Sequence, residues 1–369
     1  MEAIDNAFVD IALQNQHLRI RLGNPDELRS NKMNKTLDLL KHRVTAPEIG
    51  ISESIKGAVI TALNEEAIVC AALGNKGGIN MVVTYEAFAP KMLGALRQEI
   101  IFASNQKHIN KEPRWLSVPI IATSHTWENG KNEHSHQDPT FVETLMGENA
   151  YQCRVLFPAD ANSAQVVINS IYQTQGKIYG LVVPKNKVET ILSLEQAKNL
   201  VKDGLVIVRD VPKPQYILTA IGAYQLEECL VAIQMLEKAG VFGRLIYILE
   251  PGRLRLPRCL GEREYVLSDK TIGNYYSEDL IKRVFLVHTR PEPIIGILRR
   301  IDTGYLNTKY LGYINNGGTL STKGMLFTNQ CSRFHIIKEI ANLLSRPLHS
   351  LLEEKHIKML ENKGDPNNF

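Results

Sequence analysis

Four apolar runs, each too short for a helix, punctuate the first half of this sequence, and helical patterns fill the gaps between them. The runs are Ile79-Asn-Met-Val-Val-Thr84, Ser117-Val-Pro-Ile-Ile-Ala-Thr123, Cys153-Arg-Val-Leu-Phe157 and Ile178-Tyr-Gly-Leu-Val-Val183. Between them lie a helix from Glu86 to about Ser104, with Phe88, Met92, Leu96 and Ile100 on one face, a short helix near 139–146 and another over 162–174. Strands that read as continuous apolar runs are buried on both faces, and their alternation with helices predicts a parallel sheet covered by helices on both sides. Ile51 to Ala71 is expected to be a further helix. The first 50 residues are expected to be mixed and partly helical around a Gly23-Asn-Pro-Asp26 turn.

The same alternation continues with less regularity. Ser193-Leu-Glu-Gln196 opens a helix as a capping box, and Leu205–Arg209 reads as a strand. Pro212-Lys-Pro214 marks a second unit, with a strand over 215–221, a helix over 227–239 and strands over 244–249 and 283–288. In that helix Leu230, Ile233 and Leu236 fall at helical spacing. A glycine-rich turn at 312–318 and helices over 333–362 follow, and the tail 364–369 is expected to fray. With 369 residues, 44% of them hydrophobic, two domains can each bury a core, and the expected division is 1–205 and 206–369.

Composition excludes several function classes. A net charge of +4 with both signs interspersed leaves no nucleic-acid footprint. The one basic stretch, Arg244 to Arg263, holds five arginines broken by proline and leucine, and reads as a solvated or interface-facing loop. The five cysteines are scattered without a Cys-x-x-Cys pair, which fits reduced thiols. The first residues lack a signal peptide's basic and apolar regions. No apolar run approaches the ~20 residues that span a bilayer. The expectation is a cytoplasmic protein acting on neither membranes nor nucleic acid.

The stretch Thr123 to Pro139 concentrates the chemistry. It packs His125, His134 and His136, Trp127 and Glu128 into a polar, glycine-broken loop at the end of an apolar strand. Ends of buried strands are where α/β folds place ligands. Asp138-Pro139 offers an N-cap and a first-turn proline for the following helix. The three histidines also permit a metal-binding hydrolase, although no fourth ligand is evident.

This loop resembles the Ser-His-x-Trp…Ser-His-Gln-Asp-Pro segment of phosphoketolases, the thiamine-diphosphate enzymes that cleave ketose phosphates. Five further segments are similar to that family, in the same order. They are Pro25-Asp-Glu-Leu-Arg-Ser-Asn-Lys32, Val83-Thr-Tyr-Glu-Ala-Phe88, Phe157-Pro-Ala-Asp-Ala-Asn162, Pro184-Lys185 and Leu311-Gly-Tyr-Ile-Asn-Asn-Gly-Gly-Thr-Leu320. The resemblance covers the second half of such an enzyme. It implies two stacked α/β domains: a pyrimidine-binding, parallel-sheet thiamine domain and a transketolase-like C-terminal domain. The half it does not cover holds the cofactor's diphosphate through Mg²⁺ with a Gly-Asp-Gly…Asn-Asn motif, and no Gly-Asp-Gly occurs in this sequence. The resemblance therefore implies a split enzyme, with thiamine diphosphate and Mg²⁺ held mainly by a separate diphosphate-binding subunit. A non-catalytic partner or scaffold that keeps the fold without the cofactor is the alternative.

What the resemblance implies for single residues is specific. Glu86 matches the carboxylate beside N1′ of the aminopyrimidine, a hydrogen bond that promotes loss of the thiazolium C2 proton. Read from spacing alone, Glu86 is better explained as a negative charge capping a helix N-terminus. His136 matches a histidine that contacts the sugar at the cofactor, and His125 another that shapes the site. Ser30, Lys32 and Lys185 match the residues that bind the phosphate of a ketose or sugar-phosphate substrate; Lys32 replaces an arginine and loses its bidentate fork. Two departures stand out. Asn129 takes the place of a family glutamine, and Lys131 that of a histidine; both family residues serve the dehydration that leads to acyl phosphate. The expected reaction is thus cleavage of a ketose with transfer of a two-carbon unit, leaving acyl phosphate formation in doubt. His288 and the turn Asn315-Asn-Gly-Gly318 are weaker candidates for site roles.

Overall fold

Eight strands of this computed structural model, which describes residues 1–109, 111–361 and Asn367, form one sheet in the first unit. They are β1 (Arg19–Asn24), β2 (His42–Arg43), β3 (Glu53–Ser54), β4 (Val59–Thr61), β5 (Gly78–Tyr85), β6 (Val118–Thr123), β7 (Cys153–Leu156) and β8 (Ile178–Val182). Their order is β3-β2-β4-β1-β5-β6-β8-β7, and every pair is parallel. The unit comprises Met1–Thr126 and Thr140–Val201. Its helices are α1 (Glu2–Gln14), α2 (Asn34–Leu40), α3 (Glu65–Gly74), α4 (Leu93–His108), α5 (Thr140–Gly147), α6 (Ala161–Ile171) and α7 (Leu194–Asp203), the last running into the second unit. All residues of β6 and all but the last of β5 are buried, as expected of central strands covered on both faces.

Two local expectations fail here. Ile51–Ala71 is not one helix: β3 and β4 occupy its first half, and α3 begins only after Asn64, whose side chain caps Ala67 N–H at 2.8 Å. Val59-Ile60-Thr61 is β-branched throughout and pairs with β1 as a strand. The helix expected from Glu86 starts later, with a 3₁₀ turn over Ala89–Met92 leading into α4, so Glu86 is not a helix cap. Met92, Leu96 and Ile100 do line the buried face, while Phe88 is only half-buried. The capping box at Ser193 is present in both directions, with Ser193 N–H to Gln196 Oε1 at 2.9 Å and Gln196 N–H to Ser193 Oγ at 3.2 Å.

The second unit comprises Trp127–Pro139 and Lys202–Phe369. Its sheet has the order β13-β12-β10-β11-β9, built from β9 (Leu205–Arg209), β10 (Tyr216–Ile221), β11 (Gly243–Ile248), β12 (Arg283–Val287) and β13 (Thr308–Leu311). Only β9 runs antiparallel, against β11. α8 (Ala223–Lys238) starts four residues before its expected beginning, because Gly222 turns the chain at φ 115° straight out of β10. Short helices α9 (Leu260–Tyr265), α10 (Asp269–Tyr275), α11 (Pro291–Ile295) and α12 (Thr322–Thr328) fill stretches that carried no helical expectation. α13 (Arg333–Leu343) and α14 (Glu354–Leu360) divide the helical stretch expected over 333–362. Its last residue and, apart from Asn367, the tail 364–369 lie outside the described residues. The arginines of the 244–263 stretch are largely engaged: Arg244 forks onto Asp210 at 2.9–3.0 Å, and Arg255 and Arg258 share the buried Glu262.

Candidate active site

The registry of β5 on β6, from Val82 opposite Ile120 to Tyr85 opposite Thr123, brings the carboxyl ends of two central strands level. Glu86 N–H then donates to Thr123 O at 3.1 Å, so the chain leaves β5 still tied to β6. The Glu86 side chain is 0% exposed. Its Oε2 accepts two hydrogen bonds from one residue, Thr126 N–H at 2.8 Å and Thr126 Oγ at 2.8 Å. His125, buried, sits in the same Ser124-His-Thr126 bend, where Ser124 adopts φ 44°. A non-glycine residue in that region marks a backbone held against its preference. Thr123 Oγ is buried with no hydrogen-bond partner. The first unit thus presents a buried carboxylate, an imidazole and an unsatisfied hydroxyl at the carboxyl edge of its sheet.

A second cluster gathers around Tyr85. Ser30 Oγ lies 3.0 Å from Tyr85 Oη, and Lys185 Nζ lies 5.8 Å from the centre of its ring. Lys185 and Lys32 line one cavity of about 550 Å³ in the first unit, together with Lys35 and Lys187. Lys32 is held at φ 62°, a left-handed conformation that lysine rarely adopts. The three residues expected to take a substrate phosphate are thereby grouped around Tyr85 and this cavity. Asp26, from the same Pro-Asp-Glu segment, accepts from Tyr85 N–H at 3.2 Å and Thr84 Oγ at 3.4 Å. Burial pushes its carboxyl above the usual range, and those hydrogen bonds only partly offset the rise.

The other expected site residues fall in the second unit. Residues Gly130–His136 form 3₁₀ turns broken at Glu133, which has φ 55°. Trp127 is buried, donates Nε1–H to His288 O at 3.1 Å and meets the Tyr313 ring edge-on. Asn129 is buried; its carbonyl accepts from Gln137 Nε2 at 3.0 Å, and its side-chain oxygen receives a weak 3.4 Å bond from Asn132. Lys131 and His134 are exposed, and His136 is half-buried with Nδ1 2.8 Å from Ser135 Oγ. A Cβ at Gly130 would collide with the carbonyl of Leu320, so only glycine fits there. Of the three loop histidines, His125 is buried and belongs to the first unit, and His134 and His136 lie on turns of the second. The turn Asn315–Gly318 is pinned by Asn329, which accepts from Ile314 and Asn316 N–H at 3.1 and 3.2 Å. Gln137 Nε2 also reaches Gly318 O at 3.2 Å, so this turn buttresses the loop.

Sequence reasoning missed Thr126, Asp26, Lys35 and Lys187. The first two lie inside segments already singled out, where their spacing signals nothing by itself. The two lysines are isolated cations that only the cavity brings together.

Comparison with known proteins accounts for nearly the whole chain. Residues 2–174 match the family of D-xylulose 5-phosphate/D-fructose 6-phosphate phosphoketolases, and residues 185–365 match the C-terminal domain of the same family. A xylulose-5-phosphate phosphoketolase of Lactiplantibacillus pentosus is 27% identical over 331 residues, which are 86% of this chain but 41% of that protein. The chain therefore spans about two-fifths of the length of the curated relatives it matches. A transketolase from Leishmania mexicana superposes with a TM-score of 0.69 at 16% identity, covering 94% of this chain and 45% of that one. A structure described as a split gene transketolase, inactive beta4 tetramer, superposes at 0.61 and 15% identity, covering 95% of this chain and 98% of that one. The chain shares its two-domain α/β fold with transketolases. On both of its domains, this chain belongs to the phosphoketolase family.

Proposed function

We propose that this chain is one subunit of a split, thiamine-diphosphate-dependent enzyme that cleaves a ketose phosphate and passes on a two-carbon unit. The observation that carries this reading is Glu86: a carboxylate 0% exposed at the edge of a parallel sheet and fixed by two Thr126 donors. Burying a carboxylate is unfavourable unless it has partners or a task. The residues fit the aminopyrimidine part of the cofactor, since Glu86 supplies the carboxylate and Thr123 Oγ is an orphaned buried hydroxyl beside it. They do not supply a diphosphate and Mg²⁺ motif, because Gly-Asp-Gly is absent from the sequence. A second polypeptide is assigned that task. The superposition on a separately encoded transketolase subunit of nearly equal extent supports such a division.

Thiamine diphosphate, when bound, supplies the carbon nucleophile that opens the ketose carbonyl. Glu86 would hold the proton at N1′ of the pyrimidine, with Thr126 fixing its rotamer. His125 and His136 would exchange protons with the sugar hydroxyls, since an imidazole ring offers both a donor and an acceptor nitrogen. Ser30, Lys32 and Lys185 would take the phosphate. Asn129 and Lys131 stand where the family carries a glutamine and a histidine for dehydration. A shorter amide and a fixed cation favour release of the two-carbon unit as a ketol. Among the described residues no helix is long and apolar enough to cross a membrane, and the reading places the enzyme in cytoplasmic sugar metabolism.

The test is reconstitution with a neighbouring diphosphate-binding thiamine subunit, Mg²⁺, thiamine diphosphate and xylulose 5-phosphate. The chain alone is expected to show no submicromolar cofactor binding by calorimetry. The pair should release the aldose phosphate, and Glu86→Gln should lower turnover by about 100-fold or more while leaving assembly intact. Tight cofactor binding by the chain alone would end the split-enzyme reading. Turnover of the variant within about threefold of wild type would remove Glu86 from catalysis and favour a scaffold role.

A further inference from the structure

The segment that carries Lys185 has no regular structure over residues 183–193, between β8 and α7. An irregular loop is a poor platform for recognising an anion unless something fixes its backbone. One carboxylate does so. Asp160, at the N-terminus of α6, accepts Ile191 N–H at 2.9 Å and Leu192 N–H at 2.7 Å through Oδ2. Its Oδ1 accepts Ser163 N–H and Ser163 Oγ, both at 2.9 Å, and Asp160 N–H donates back to Ser163 Oγ at 2.9 Å, which completes the α6 capping box. Asn162 Nδ2 donates to Leu192 O at 2.7 Å, a further tie between the same two elements. Asp160 is 4% exposed and belongs to the wall of the lysine-lined cavity.

The arrangement settles an electrostatic conflict. A carboxylate in the wall of an anion site would ordinarily pair with the lysines and compete with the ligand. An ionised carboxylate offers about four acceptor positions, and here four donors from the α6 turn and the 191–192 backbone meet them. The charge that caps the helix thus also anchors the far end of the lysine loop, while its oxygens face donors that are not lysine.

We infer that Asp160 is the positioning residue of this anion site, clamping the loop over residues 183–193 to the α6 N-terminus so that Lys185 is presented to the phosphate of a sugar phosphate. The inference rests on the anion-binding reading of Lys32 and Lys185. The experiment is a double-mutant cycle on the full chain, with fructose 6-phosphate as the titrant. Lys185→Ala is expected to weaken binding about tenfold or more, the loss of a hydrogen bond to a charged group. Asp160→Asn keeps the size and one acceptor but puts an amide against the Ile191 and Leu192 N–H groups. It should weaken binding by a similar factor. The double variant should bind within about twofold of the weaker single variant, because the two changes remove one interaction. Additive losses, or wild-type affinity for Asp160→Asn beside a weakened Lys185→Ala, would overturn the inference. Indistinguishable wild type and Lys185→Ala would instead overturn the anion reading, and the inference with it.

Should Asp160→Asn fail to fold, Asn162→Ala leaves the capping box intact and removes one tie to Leu192. It should speed amide exchange at Ile191 and Leu192 without changing exchange in α6. Unaltered exchange in that loop would count against the clamp.

Discussion

Replacing Glu86 by glutamine separates a carboxylate kept for structure from one kept for chemistry, and it does so in the chain alone. Glu86 is wholly buried, and Thr126 N–H and Thr126 Oγ each donate to its Oε2 at 2.8 Å. Hydrogen bonds to an ionised group contribute about 1.5–3 kcal/mol each and neutral ones about 1 kcal/mol, so exchanging charge for amide forfeits about 2 kcal/mol over the pair. Against this stands the desolvation of a buried ion, which amounts to several kcal/mol after relaxation. A glutamine carbonyl has two lone pairs and retains both Thr126 bonds. The expected net result is a variant as stable as wild type, or more stable by about 1–2 kcal/mol, as is common when an active-site residue is neutralised. Thr126→Val supplies the control: it deletes one donor while leaving the charge buried, and should destabilise by about 2 kcal/mol. Urea unfolding at pH 7, followed by intrinsic fluorescence, measures both. A loss of more than about 1 kcal/mol in Glu86→Gln would show the carboxylate to be a structural strut and would refute the reasoning.

Two further outcomes are expected. The reconstituted enzyme should form little acetyl phosphate from xylulose 5-phosphate with phosphate present, because Asn129 and Lys131 replace the residues that serve dehydration; a strong hydroxamate signal would show those substitutions to be tolerated. Burial lowers the pKa of His335 in α13 from 6.5 to about 4, with Nδ1 2.8 Å from Ser332 Oγ. The folded chain keeps this imidazole neutral, so its stabilisation is complete above pH 6.5 and is lost as pH falls toward 4. A displacement of that size corresponds to about 3 kcal/mol, and His335→Gln should flatten the acid limb of unfolding midpoints between pH 6.5 and 4; an unchanged limb would count against it.

Much of the first unit was legible because β5, β6, β7 and β8 are apolar runs in a sheet covered on both faces. β1 was not, although it lies between β4 and β5, because Arg19 and Arg21 in its less buried half give it a surface strand's mixed character. The helix expected over Ile51–Ala71 failed for a related reason. β3 and β4 are two and three residues long, and periodicity has no purchase on elements that short. Among the candidate residues, the motifs singled out Glu86, His125, Ser30, Lys32 and Lys185 because their identities are chemically distinctive. The clamp by Asp160 was invisible, since two of its four partners are backbone N–H groups about thirty residues away, and every residue but proline carries one.

The assignment of Trp127–Pro139 to the second unit bears on how this protein can be cut. A fragment ending at Val201 would keep these residues but lose the His288 carbonyl, the Tyr313 ring and the Leu320 backbone against which they pack. A fragment starting at Lys202 would lack the Trp127 indole and the Glu128 carboxylate that accepts from Tyr224 Oη at 2.7 Å. Each cut would thus separate residues that pack together within the second unit, although a single linker joins the two family domains in sequence. Shuffling at that linker would therefore exchange a loop along with a domain, and viable chimeras would need the segment after β6 drawn from the same parent as the C-terminal domain.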